Sequence, residues 1–139
     1  YEFARASQLT LFRIDNTGSG HRKYFTDRFI ANLQNDKFIF AIDSVSNNLI
    51  VNYQVQVWNY DYGQHFMETG IVSASLAGGV EATTQTLTFN DFTGGRTAAI
   101  TFAISPFSIL ELEVACFAPT TETWHVLITC DAQLIIVPV

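Results

Sequence analysis

The run Trp58-Asn59-Tyr60-Asp61-Tyr62-Gly63-Gln64-His65 concentrates four rings among amide and carboxylate groups. Flat sugar C–H faces stack on aromatic rings, while sugar hydroxyls need both donors and acceptors. Trp58, Tyr60, Asp61, Tyr62, Gln64 and His65 are therefore the candidate ligand-binding set for carbohydrate. The same residues support two other readings. Tyr and Trp are enriched in subunit interfaces, and a hairpin turn can pack its rings across its own strands.

Other chemistry-bearing residues are more scattered. Glu111 and Glu113 stand two apart, which on an extended strand separates the carboxylates by roughly 7 Å. Inverting glycosidases use a similar separation, yet solvated acids on a polar strand face are the commoner origin of this spacing. The three histidines, His21, His65 and His125, have no neighbouring ligand at zinc-site spacing. His125 and Cys130 differ in parity, so on one strand they point to opposite faces and cannot form a dyad. No Gly-x-Ser-x-Gly elbow occurs. These observations point to no catalytic residue, no metal and no cofactor.

Gly18-Ser19-Gly20-His21-Arg22-Lys23 has the composition of an anion-binding loop, with small residues followed by cations. It lacks the phosphate-loop spacing and reads as a surface loop. Cys116 and Cys130 fall on the apolar parity of their segments. If a hairpin turns at Thr120-Thr121, Cys116 faces Trp124 or Val126 and Cys130 faces Leu110 or Leu112. That arrangement is too distant for a disulfide, leaving two buried thiols.

The elements that would carry these residues are strands. Turn signals at 16–20, 44–48, 61–63, 77–79, 94–95, 105–106 and 119–121 divide the chain. Between them lie strand candidates at 7–14, 37–43, 49–60, 65–76, 80–90, 96–104, 107–117 and 123–137. Val51, Tyr53, Val55 and Val57 alternate with Asn52, Gln54 and Gln56, which puts Trp58 and Tyr60 on the outer parity. Phe25, Phe29 and Leu33 recur every four residues behind Thr26 or Asp27, which suggests one short helix near 26–34. The fold expected is all-β: a single domain over 1–139, built as a two-sheet antiparallel β-sandwich of about eight strands. A jelly-roll topology leads and a barrel follows. The last three candidates should form an antiparallel meander.

From Trp124 to Ile136 every even position is apolar, as a strand with one buried face requires. Leu127, Ile135 and Val137 add apolar side chains on the other parity and are the expected interface residues. The segment after Leu134 reads as a central strand or as an arm docked on a neighbouring subunit. Pro138 would end its pairing.

Composition narrows the functional classes. Charged residues make up 14 % of the 139, against about 25 % in an average soluble domain. Residues 1–37 hold six of the seven Lys and Arg, and residues 38–139 carry a net charge of −8. The body of the domain thus lacks the clustered cations that nucleic acid needs. No apolar run reaches the ~18 residues of a spanning helix, so no membrane span is expected. The chain begins at Tyr1, so processing or trimming is expected upstream. Few charges, twelve Phe and outward apolar residues together suggest a non-enzymatic, self-associating subunit. It would form a homo-oligomer, a trimer or larger, in a virion (capsid or spike-like) or another extracellular assembly. The alternative is a lectin-like module that binds a glycan through residues 58–65.

Overall fold

The computed structural model describes residues 6–14, 22–44, 48–75, 79–104 and 109–134. They form seven strands: β1 (Ala6–Ile14), β2 (Arg22–Ser44), β3 (Asn48–Asn59), β4 (Gln64–Ser75), β5 (Gly79–Asn90), β6 (Thr97–Ile104) and β7 (Leu110–Leu134). The ladders join them in the order β1-β2-β7-β3-β4-β5, with β6 also paired to β7. The protein is all-β, a curled mixed sheet. Among the described residues there is no helix, and so none long and apolar enough to cross a membrane.

Alternation decides which face each strand buries. On β3, Val51, Tyr53, Val55 and Val57 are buried while Asn52, Gln54, Gln56 and Trp58 face outward. On β7, Leu110, Leu112, Val114, Cys116, Ala118 and then every even residue from Glu122 to Leu134 are buried. The expected parity is thus observed for both strands.

The curl comes from β2 and β7, which pair along almost their whole length, from Arg22↔Gln133 to Ile42↔Leu110. The register slips once, where Leu33↔Glu122 gives way to Asn35↔Phe117. Phe29 and Phe38 are nine residues apart, about 30 Å along a straight strand. Their ring centroids are nevertheless 5.4 Å apart, and those of Phe29 and Phe40 are 5.0 Å apart. Both strands therefore fold back at the slip, and the sheet becomes two facing arms. One arm holds β1, residues 35–44 of β2, residues 110–117 of β7, and β6. The other holds residues 22–33 of β2, residues 122–134 of β7, and β3, β4 and β5.

Several expectations are corrected here. The region 26–34 is strand, paired residue for residue with β7 as far as Leu33. Spacing of four also satisfies a period of two, and Asp27 and Ala31, half-buried, fill the skipped inward positions. Within the candidates 107–117 and 123–137, the described residues belong to one strand, Leu110–Leu134, so no hairpin turns at Thr120-Thr121 and no three-strand meander forms. The described residues form seven strands where about eight were expected. Nor is the sheet antiparallel throughout, because β1 runs parallel to β2 at Leu9↔Ile39 through Ile14↔Ser44. A parallel pair needs a crossover, and here residues 22–33 of β2 provide it by running through the opposite arm.

Phe12, Phe25, Phe29, Phe38 and Phe40 meet between the arms, with Phe12 stacked on Phe25 at 4.4 Å. Further along, Tyr53 of β3 meets Phe102 of β6 at 5.3 Å. A side chain at Gly70 would overlap the Thr84 carbonyl and stand 2.6 Å from the Tyr53 hydroxyl. Glycine there lets β5 and Tyr53 close on β4. Phe40→Ala removes a fully buried ring from the contact between the arms. It should destabilise the fold by about 3–5 kcal/mol, measured by urea titration.

Candidate functional site

The turn between β3 and β4 carries the predicted ligand set, and the structure ties most of it to the scaffold. Glu122 lies inward on β7, 3 % exposed, and accepts from Arg96 twice, Nε to Oε1 at 2.7 Å and Nη2 to Oε2 at 2.8 Å. Asn59 Nδ2 donates to Glu122 Oε1 at 2.6 Å, and Thr120 Oγ1 donates to Oε2 at 2.7 Å. The Tyr62 backbone N–H donates to Asn59 Oδ1, and the Tyr62 ring lies 3.4 Å from the Arg96 guanidinium carbon. Such a stack of cation on ring is favourable even where, as for Tyr62, the ring stays exposed. Arg96 reaches back because Gly94 holds φ at +69°; a Cβ there would come within 2.6 Å of Arg96 Nη1.

The rest of the turn is held in the same way. Asp61 Oδ2 accepts from the Thr123 backbone N–H at 3.1 Å. Gln64 and Thr93 exchange two bonds, Gln64 Nε2 to Thr93 Oγ1 at 2.7 Å and Thr93 N–H to Gln64 Oε1 at 3.1 Å. The His65 backbone N–H donates to Asp91 Oδ1 at 2.5 Å.

Trp58 stacks on His65, centroids 4.7 Å apart and planes 3° from parallel, and meets His125 at 5.0 Å. Register explains the row, since Ile30 pairs with His125, His125 with Trp58, and Trp58 with His65. Directly opposite side chains share a face and touch. Phe89 extends the row, 5.4 Å from His65. The Tyr60 hydroxyl and His125 Nδ1 share a hydrogen bond of 2.6 Å. His125 is 8 % exposed, and burial with the nearby Arg28 pushes its pKa below the ordinary histidine value. The Nε2 atoms of His65 and His125 are buried without a hydrogen-bond partner among the described residues. Trp58 separates the two rings, so they form neither a proton relay nor a shared ligand site.

The structure thus brings the whole candidate set together on one outer face and its turn. Trp58 and His65 serve a packed row, Asp61 and Gln64 are bonded to the scaffold, and only the Tyr60 and Tyr62 rings remain more than half exposed. His125, Arg96 and Glu122 belong to this region and are absent from the expected set. Glu122 was legible as a charge on the apolar parity of β7; its partner Arg96 was not.

The remaining candidates lie elsewhere. Glu111 is buried, and Glu113 accepts from Lys37 Nζ at 3.3 Å and Thr101 Oγ1 at 3.4 Å. Residues 18–21 lie outside the described residues, while Arg22 is ion-paired with Asp131. Cys116 and Cys130 are buried free thiols, and burial pushes both pKa values up, that of Cys130 to about 12. Leu127 is half-buried between Arg28 and Gln56; Ile135 and Val137 lie outside the described residues.

Outside the turn, the outer face divides in two. Near the turn it is apolar and aromatic, with Ile30, Trp58, Leu127, Met67 and Phe89. Further along β3 it turns polar and dips into a shallow depression of about 450 Å³. Comparison with protein-family models, curated proteins and solved structures finds no match to this chain.

Arg96 holds the Glu122 carboxyl well below its ordinary range, at about 2. A depressed carboxyl pKa stabilises the fold above the ordinary value of 4.5, and that contribution fades as pH falls from 4.5 towards 2. Glu122→Gln should lower the melting temperature by several degrees at pH 7. It should also show a shallower loss than the parent between pH 4.5 and 2, read by circular dichroism.

Proposed function

We propose that this chain is a non-enzymatic subunit that assembles with copies of itself. The observation that carries the proposal is β5, the last strand of its arm. Every residue from Thr83 to Asn90 is exposed, including Leu87 at 55 % and Phe89 at 47 %. β5 has one charged residue, Glu81, and no Pro. Edge strands with few charges and apolar side chains are templates for pairing with another chain, and β5 has neither Lys nor Pro; its two register shifts, at Glu81 and Thr88, leave a regular stretch from Ala82 to Leu87 for such pairing. Leu87 opposes the buried Glu68 in register, so it stands on the inward parity, yet over half of it remains in water. A strand from a second copy, added beside β5, would cover Leu87, while Phe89 and Met67 would continue the apolar row across the join.

The low charge content supports the same reading, as does the two-armed curl, which we interpret as a sandwich of jelly-roll type suited to closed or lattice assemblies. A virion or another extracellular assembly is the setting proposed for it. A second reading, a lectin-like module, draws on the exposed Tyr60 and Tyr62 rings; loss of glycan binding in Trp58→Ala with the oligomer intact would favour it.

Light scattering tests the main reading. The parent should run as a discrete oligomer or larger particle, and Leu87→Lys with Phe89→Lys should shift it to the monomer mass without loss of the β circular-dichroism signal. A monomeric parent, or an unchanged particle in the double variant, would overturn the proposal.

A further inference from the structure

We infer that the polar half of the outer face binds a neutral oligosaccharide lying across the strands. Thr26 pairs with Thr129, Thr129 with Gln54, Gln54 with Thr69, and Thr69 with Thr86. Five strands thus contribute one hydroxyl or amide each to a single row, at the ~4.8 Å spacing of neighbouring strands. The end members Thr26 and Thr86 are exposed, while Thr129, Gln54 and Thr69 are half-buried. The row therefore runs through a trough, and its middle lines the depression of about 450 Å³. That volume is within the range of small-molecule sites.

The hydrogen-bonding capacity of this row is uncommitted. Among the described residues, none of these five side chains has a hydrogen-bond partner. The candidate turn differs, since Asp61, Gln64 and the Tyr60 hydroxyl are all bonded internally. Threonine hydroxyls and the glutamine amide each donate and accept, which matches sugar hydroxyls that do both. Two further side chains suit a saccharide. Tyr24, 66 % exposed, sits two residues from Thr26 on the same face and offers a ring for a sugar face. Ile71 closes the opposite side, in register with Asn52.

No ionisable side chain belongs to the row, and the carboxylate lining the trough, Asp131, is held by Arg22 through Nε at 2.8 Å and a second, shorter contact. Arg28 is exposed one outward step along β2 from Thr26, so the preference for a neutral ligand rests on the uncharged row itself and not on the surrounding field. The ligand class is therefore neutral and rich in hydroxyls. The inference stands apart from the assembly proposal, since the apolar half of the face and the β5 edge are not part of the row beyond Thr86.

The test uses the full chain on an array of neutral, sialylated and sulfated oligosaccharides, followed by calorimetric titration of a neutral oligosaccharide that binds. Gln54→Ala with Thr69→Val should weaken that binding about tenfold or more. Thr69→Ser, which keeps the hydroxyl, should stay near the parent, and Trp58→Ala should retain binding. Light scattering and circular dichroism on each variant separate this outcome from a change in assembly or folding. Binding to no neutral glycan, a preference for acidic ones, affinity unchanged in the double variant, or loss on Trp58→Ala with the row intact would overturn the inference.

Discussion

The ladder between β2 and β7 is the interaction on which the rest of the molecule depends. It binds two strands of more than twenty residues each and carries them together through one fold-back. β6 and β3 attach to successive halves of β7, and β1 attaches to the second half of β2. If the ladder lost its register at Leu33 and Phe117, every strand hung on it would present the wrong face. The slip is therefore a structural device. Leu33 faces inward at an odd position and Phe38 at an even one, so an odd step in β2 is required between them. On the β7 side, Ala118 and Glu122 keep the inward parity while the chain arches between them.

That device explains which parts of the fold were legible in the sequence. Alternation within each strand could be read directly, as in Val51 to Val57 and Trp124 to Leu134, because a half-buried strand leaves a period-two record. The continuity of β7 was hidden by Pro119-Thr120-Thr121, a turn signal by composition. Here it marks a bend within one strand. The missed clue was that the apolar parity on both sides of it is the same, which a continuous strand demands. In β2 the four-residue spacing of Phe25, Phe29 and Leu33 fits a helix and a strand equally well. Only the partner settles the matter, and partners lie about a hundred residues away.

The site was legible to a similar depth. The concentration of rings at 58–65 marked the right part of the molecule, because outward parity and turn position are local properties. The uses of those rings are not local. His125 reaches Trp58 and Tyr60 through the β3–β7 register, and Arg96 reaches Tyr62 and Glu122 through the loop after β5. A buried Arg–Glu pair with every carboxylate oxygen bonded is costly to desolvate, but it fixes one arrangement of the groups around it. Here it fixes Asn59, Thr120 and Tyr62, and so the turn on which the aromatic row ends.

The two halves of the outer face follow from the same strands. Moving two residues along β3 from Trp58 to Gln56 and again to Gln54 exchanges a ring for amides. The matching steps on β7 exchange His125 for Leu127 and then Thr129. Neighbouring strands in register repeat each choice, so one polar position becomes a polar row and one aromatic position becomes an aromatic row. A flat sheet face can in this way hold an apolar region and a hydrogen-bonding trough about two residues apart, with no loop between them. The apolar half satisfies itself partly by stacking, whereas the five side chains of the polar row have no hydrogen-bond partners among the described residues. Assembly and ligand recognition are therefore separable on this face, because they draw on different rows of the same ladder.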